Sequence, residues 1–349
     1  MAVGGTGAAK AGLRNTETHR KGQEMAKGKI RIAFMSGASE SQLRWLAQAG
    51  VAEVVTSLPA EERGPVWPFE AMLRQRNKVA SFGLKLGVYE GIPVPDRVKL
   101  GAPGRDEDID HYRESLRNMG RAEIPVLCYN WMIYFNWLRT SVSTPVRGGA
   151  LATTYNHAEF ERGPKTPYGD VPEETLWESL EYFLKAVVPV AEEYGVKLAM
   201  HPDDPPLSPI RGIARILTSP ANFQRMLDLV PSKANGITFC QGCFTEMCVD
   251  IPRTVKQFAD RIHFAHFRNL RGTADHFTEQ FHDDGQQDMY AAMKAYYDSG
   301  VVCPMRPDHA PTMEGEDNSH PGYALQGRLM AVGYMRGLME AIEKGGGGA

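Results

Sequence analysis

The chain has 349 residues, 39 Lys+Arg against 42 Asp+Glu, 42% hydrophobic and 23% charged. These are ordinary globular proportions, and they exclude wholesale disorder, a collagen-like fibre and a disulfide-dense scaffold. The formal net charge of −3 offers no basic excess for nucleic-acid phosphates, and no apolar run approaches the ~20 residues of a membrane-spanning helix.

Residues 1–28 are small, polar and basic with no apolar stretch, so they read as a disordered leader rather than a secretory signal. Residues 345–349 read as a flexible glycine-rich tail. Between them, 29–344 reads as one catalytic domain. The cysteines at 128, 240, 243, 248 and 303 are odd in number, which points to reduced thiols and a cytoplasmic location.

Short apolar runs alternate with longer amphipathic stretches. Strands are expected at 30–35, 53–56, 84–89 and 124–129, with helices at 39–50, 68–82 and 110–121. A long irregular stretch rich in Thr, Gly, Pro and aromatics follows, 130–172. A helix over 173–194 ends at Gly195, where a helix C-terminus favours glycine. Further strands are expected at 196–200, 236–239, 262–265 and 301–305, with helices at 220–229, 251–259, 287–299 and 321–343. Asp110, Glu173 and Pro220 are plausible helix starts. Strand–helix units repeated in series predict an α/β fold, a single-domain (β/α)8 TIM barrel with a long loop after its fourth strand. A doubly wound sheet would need a Gly-rich fingerprint after the first strand. Ser36-Gly37-Ala38 is not one.

Active sites of such barrels lie at the C-terminal ends of the strands. Four successive strands run into His201, Cys240, His266 and Asp308. Two imidazoles, a thiolate and a carboxylate suit a divalent transition metal. Singly, each has a structural explanation: a hydrogen-bonded histidine, a buried cysteine, a capping aspartate. Their equivalent positions on neighbouring strands favour a shared metal. His263 competes with His266, but residues three apart on a strand face opposite ways, and His263 reads as structural. Cys240-x2-Cys243-x4-Cys248 also admits an iron–sulfur or zinc knuckle, a weak signal without a second pair. Cys128 and Cys303 read as core.

The runs HPDDPP at 201–206, GITFCQG at 236–242, HFAHFRN at 263–269, DGQQDMYAAMKA at 284–295, PMRPDHA at 304–310 and PGYALQGRL at 321–329 together resemble the mannonate dehydratase family. CYNWM at 128–132, Trp137 and Arg139-Thr140 add to it. The resemblance implies a barrel related to the sugar-isomerase barrels, a homo-oligomer (dimer or tetramer), and dehydration of D-mannonate to 2-keto-3-deoxy-D-gluconate. It implies a divalent metal, Mn²⁺ first with Fe²⁺, Co²⁺ or Mg²⁺ as stand-ins, on His201, Cys240, His266 and Asp308. Asp308 and Tyr323 carry over as proton-transfer residues. Removing a proton beside a carboxylate calls for cations and for paired acid and base groups. Arg268, Arg306 and Asn130 are therefore candidates for substrate binding, and His309 joins Asp308 and Tyr323 as a catalytic candidate.

Some rim positions depart from the family pattern. Gln241-Gly242-Cys243 stands for Thr-Gly-Ser, and Thr278-Glu279-Gln280-Phe281-His282 for His-Glu-Ser-Asp-His. Ala310 replaces a glycine, and Asn130-Trp131-Met132-Ile133 replaces Asn-Phe-Met-Pro. A related sugar-acid lyase, isomerase or epimerase is the alternative, and a non-catalytic sugar-acid sensor is a third.

Overall fold

A computed structural model describes residues 30–345; the expected leader over 1–28 and most of the expected tail lie outside the described residues. In chain order the strands are β1 (Arg31–Met35), β2 (Glu53–Thr56), β3 (Lys85–Glu90), β4 (Val126–Tyr129), β5 (Ser141–Pro145) and β6 (Leu151–Asn156). Then follow β7 (Lys197–Met200), β8 (Asn235–Cys240), β9 (Ile262–Phe267), β10 (Leu270–Thr273), β11 (His276–Glu279) and β12 (Pro304–Pro307). Eight of these close a barrel in the order β1-β12-β9-β8-β7-β4-β3-β2, every pair parallel. The expected (β/α)8 architecture is the observed one.

Helices α1 (Glu40–Gln48), α2 (Phe69–Ala80), α3 (Asp96–Lys99), α4 (Arg105–Arg121), α5 (His157–Phe160) and α6 (Glu173–Glu193) precede β7. They are followed by α7 (Pro220–Leu229), α8 (Gln241–Glu246), α9 (Ile251–Phe258), α10 (Met289–Asp298) and α11 (Leu325–Gly345). Short polar side chains start several of them. Ser39 and Gln42 form a reciprocal capping box on α1, and Ser219 caps α7 ahead of Pro220. Asp250 and Asp288 cap α9 and α10 in the same way. Asp110 is not a helix start: α4 begins at Arg105, behind a left-handed Gly104 with φ 87°. The last helix begins at Leu325 rather than Pro321 and runs through Gly345. Among the described residues, no helix is long and apolar enough to cross a membrane.

The stretch 130–172 is not irregular. It holds β5, β6 and α5, and β6 pairs antiparallel with β11 to make a four-stranded sheet, β10-β11-β6-β5. Its strands come from two connections far apart in sequence, and β5 is largely solvent-facing, so no local hydrophobic alternation marks it. The main core packs strands against helices. A second cluster, Ala33, Val55, Val88, Val126, Cys128, Ala199 and Phe264, comes from barrel strands alone and fills the barrel interior.

Candidate active site

Side chains alternate along a strand, so the residue two beyond an interior one faces inward again, one layer higher. From the interior cluster this step leads from Val88 to Glu90, from Cys128 to Asn130, from Ala199 to His201 and from Phe264 to His266. Buried Cys240 at the end of β8 and Arg306 and Asp308 at the end of β12 complete the layer. One periodicity thus makes an apolar plug with a polar floor above it. His263, on the other face of β9, bonds the Leu198 carbonyl at 2.8 Å, as a structural histidine should.

The donor atoms of His201, Cys240 and His266 lie within 4.8 Å of one another. His201 Nδ1 donates to the Pro202 carbonyl at 2.7 Å, which fixes the ring with Nε2 turned toward the donor group. That Nε2 is 3.3 Å from His266 Nδ1. Asp308 Oδ2 stands at the edge of the group, 3.4 Å from His266 Nδ1 and 3.9 Å from Cys240 Sγ. On the far side of the ring, His266 Nε2 is 3.3 Å from Glu90 Oε1, within ion-pair reach but off the line of a hydrogen bond. Lone-pair atoms gathered this closely repel unless a positive charge sits among them. A proton supplies one: burial and Arg306 press His266 down, but Glu90 and Asp308 outweigh them and raise it to about 10. Burial pushes the Cys240 thiol up, yet hydrogen bonds from Cys243, His201 and His266 hold it well below its ordinary value. The same thiolate, imidazoles and carboxylate fit a divalent transition metal.

Arg306 grips Glu90 with two bonds of 2.9 Å and reaches Asp308 Oδ1 at 2.5 Å. Behind the donor group lies a second buried network. Arg268 binds Asp204, Glu246 and Glu279 at 3.0, 2.8 and 2.6 Å, while Arg139 binds Asp204 and Glu279 at 2.8 and 2.7 Å. Burial pushes Glu246 well up against the pull of Arg268, while Asp204 and Glu279 each pair with both arginines. Without such pairing, buried charges of this kind would be strongly destabilising. Cys243 points at Arg268, 3.3 Å away, and Cys248 is exposed, so no cysteine knuckle forms.

A cavity of about 510 Å³ opens above the polar floor. His201, Asp308, Arg306 and Asn130 line it, and so do His309 and Tyr323, whose Nε2 and hydroxyl are 3.0 Å apart. Cys240 and His266 are buried beside them. Arg268 departs from expectation. It is fully buried, its guanidinium is spent on three carboxylates, and it does not line the cavity. It positions acidic groups rather than meeting a substrate. The stretch 130–172 walls the cavity through Met132, Asn136 and Trp137, whereas His157 and Arg147 bond Tyr155 and Asp283 outside it. Sequence reasoning did not assign roles to Glu90, Asp204, Arg139 or Glu279. Only Glu90 carried a usable signal, one residue past the expected end of its strand.

A closed parallel barrel with an N/S/O donor group at its C-terminal rim defines a class, the TIM-barrel proteins with a candidate metal site among their strand ends. A xylose isomerase domain protein from Planctomyces limnophilus shares the fold at a TM-score of 0.58 and 11% identity, covering 91% of this chain and 99% of that one. The D-mannonate dehydratase family model matches residues 29–167 and 162–346. The mannonate dehydratase of Thermotoga maritima is 39% identical over 332 residues, 84% of this chain and 92% of that protein. The crystal structure of the mannonate dehydratase from Streptococcus suis serotype 2 superposes with a TM-score of 0.86 at 34% identity, covering 92% of this chain and 95% of that one. The chain belongs to the D-mannonate dehydratase family.

Proposed function

We propose that this protein is a hydro-lyase that removes water from D-mannonate to give 2-keto-3-deoxy-D-gluconate. The observation that carries this is the meeting, at one cavity of a mannonate dehydratase barrel, of His201 and Asp308 on its wall and Cys240 and His266 buried beside them with the His309–Tyr323 pair. Those four residues would hold a divalent metal, Mn²⁺ first with Fe²⁺, Co²⁺ or Mg²⁺ able to stand in, which would supply positive charge against the negative charge that develops on the substrate carboxylate.

The chain's own groups divide the proton work. Burial, Asp308 and Glu90 outweigh Arg306 and raise Tyr323 above its ordinary value, so it stays a phenol and a donor. Asp308, against burial, is held well down by Arg306 and stays an acceptor. His309 Nε2 takes the C2 proton, and Tyr323 gives its proton to the departing C3 hydroxyl, which leaves as water. The 3.0 Å bond between the two returns the proton to the phenol. Arg306, tied to Glu90 and Asp308, and Asn130 at the wall orient the acid.

The test is mass analysis of the product from D-mannonate and a panel of other hexonates with added Mn²⁺. A keto acid lighter by one water, lost on chelation and regained on adding metal back, is expected. Unchanged mass would mean isomerisation or epimerisation, and ligand-dependent thermal stabilisation without turnover would mean a sensor. A cytoplasmic homo-oligomer, dimer or tetramer, accompanies this proposal, and light scattering on the purified protein reads its mass.

A further inference from the structure

Glu279 ends β11 in the hairpin that the β9–α10 connection sends across the rim, and it is 1% exposed. Its Oε1 lies 3.1 Å from His309 Nδ1. Arg268 and Arg139 hold the carboxylate from two sides, at 2.6 and 2.7 Å. Burial opposes its ionisation, but Arg268, His309 and Arg139 win and hold it at about 2. It is therefore an ion that accepts hydrogen bonds and cannot donate them. A neutral imidazole has a single N–H, and only an N–H on Nδ1 makes the 3.1 Å contact attractive.

The other neighbours agree. Arg139 Nη2 is 3.5 Å from Nδ1, and its two protons have nearer carboxylate acceptors, Glu279 at 2.7 Å and Asp204 at 3.4 Å. Asp308 Oδ1 is 3.6 Å from Nε2, beyond hydrogen-bond length, whereas the Tyr323 hydroxyl is at 3.0 Å. The Trp137 ring, 5.4 Å from the imidazole, flanks it at the cavity wall.

Building on the dehydration proposed above, we propose that Glu279 is a positioning residue that fixes the tautomer of His309: its carboxylate takes the Nδ1–H and leaves the Nε2 lone pair facing Tyr323 and the substrate. The proton then has a defined path from C2 to His309 Nε2, to the Tyr323 oxygen and out with the hydroxyl. With the ring turned to the other tautomer, Nε2 carries a hydrogen and can no longer accept. Arg139 and Arg268 serve this arrangement from behind, by keeping Glu279 ionised and in place.

Nitrogen NMR of ¹⁵N-histidine-labelled, Mg²⁺-loaded wild-type protein, assigned with His309→Gln, reads the tautomer directly. A protonated Nδ1 and a bare Nε2 are expected for His309, and a hydrogen on Nε2 would overturn the proposal. In Glu279→Gln the charge is lost at constant shape. There kcat for D-mannonate should fall about 100-fold or more while KM stays within about threefold, with bound metal unchanged by elemental analysis. Glu279→Asp, which keeps the charge, should recover part of the loss. A kcat close to wild type in Glu279→Gln, or a loss that tracks loss of metal, would overturn the proposal. If Glu279→Gln fails to fold, the wild-type spectrum still decides. A wild-type protein that makes no keto acid defeats the dehydration while the spectrum still settles the tautomer, so the two failures are told apart.

Discussion

His263 and His266 lie three positions apart on β9, and strand parity sends them to different fates. His266 enters the donor group, while His263 is buried on the outer face against the Leu198 carbonyl. Burial, opposed by that bond, lowers His263 from 6.5 to about 4, and His282 is lowered to about 4 for the same reason. Between those values the unfolded chain binds more protons than the folded one, so stability rises with pH. The contribution is complete above about 6.5 and lost as pH falls through about 4. Each histidine contributes up to about 3 kcal/mol. Thermal melts of the metal-free protein should therefore drop steeply from pH 7 to 4, and His263→Gln should flatten part of that slope; an unchanged slope would contradict it. Removing a ligand acts on metal instead. Cys240→Ala should weaken metal binding by more than the ~10–100-fold that loss of an outer-shell partner costs, read by elemental analysis after dialysis. At this scale His201, Cys240, His266 and Asp308 were legible because each follows an apolar run at a strand end. Arg139, Asp204 and Glu279 were not. They meet across 65 and 140 positions of chain, and no local pattern encodes such a contact.

Among the elements, α8 shows most clearly how the rim is built. All six of its residues are buried, and it begins directly behind Cys240. Gly242 in its first turn lies against the Arg268 side chain, and a Cβ there would run into Arg268 Cδ and Nε. Gly242→Ala should push the guanidinium off its carboxylates and cost on the order of 3 kcal/mol, measured by urea denaturation. Gly337→Ala in α11, where a Cβ meets nothing within 4 Å, should instead stabilise by about 0.5–1 kcal/mol. Equal effects at the two positions would contradict the close approach at Gly242. The sequence patterning revealed neither α8 nor the β10–β11 hairpin. A fully buried six-residue helix shows no amphipathic period, and the hairpin's register depends on β6, more than a hundred residues earlier.

At the scale of the molecule, alternating strands and helices made the barrel legible, because eight parallel strands closed inside one ring of helices are buried on both faces. The sheet that caps the rim was hidden, since it joins two connections that each look like loops. That sheet carries Glu279 to His309, and the stretch before β5 brings Trp137 to the cavity wall and Arg139 to Glu279 behind it. The net charge of −3 is uninformative about the substrate, because an acid is met by local cations such as Arg306, which lines the cavity, rather than by the global field. In the proposed reaction the donor group at the rim drives loss of water from D-mannonate. Titrating metal-stripped protein with Mn²⁺ while following keto-acid formation tests it. Activity should rise from zero to a plateau at one Mn²⁺ per chain, and His201→Ala should stay inactive at the same concentrations. Full turnover by the stripped protein in excess chelator would contradict it.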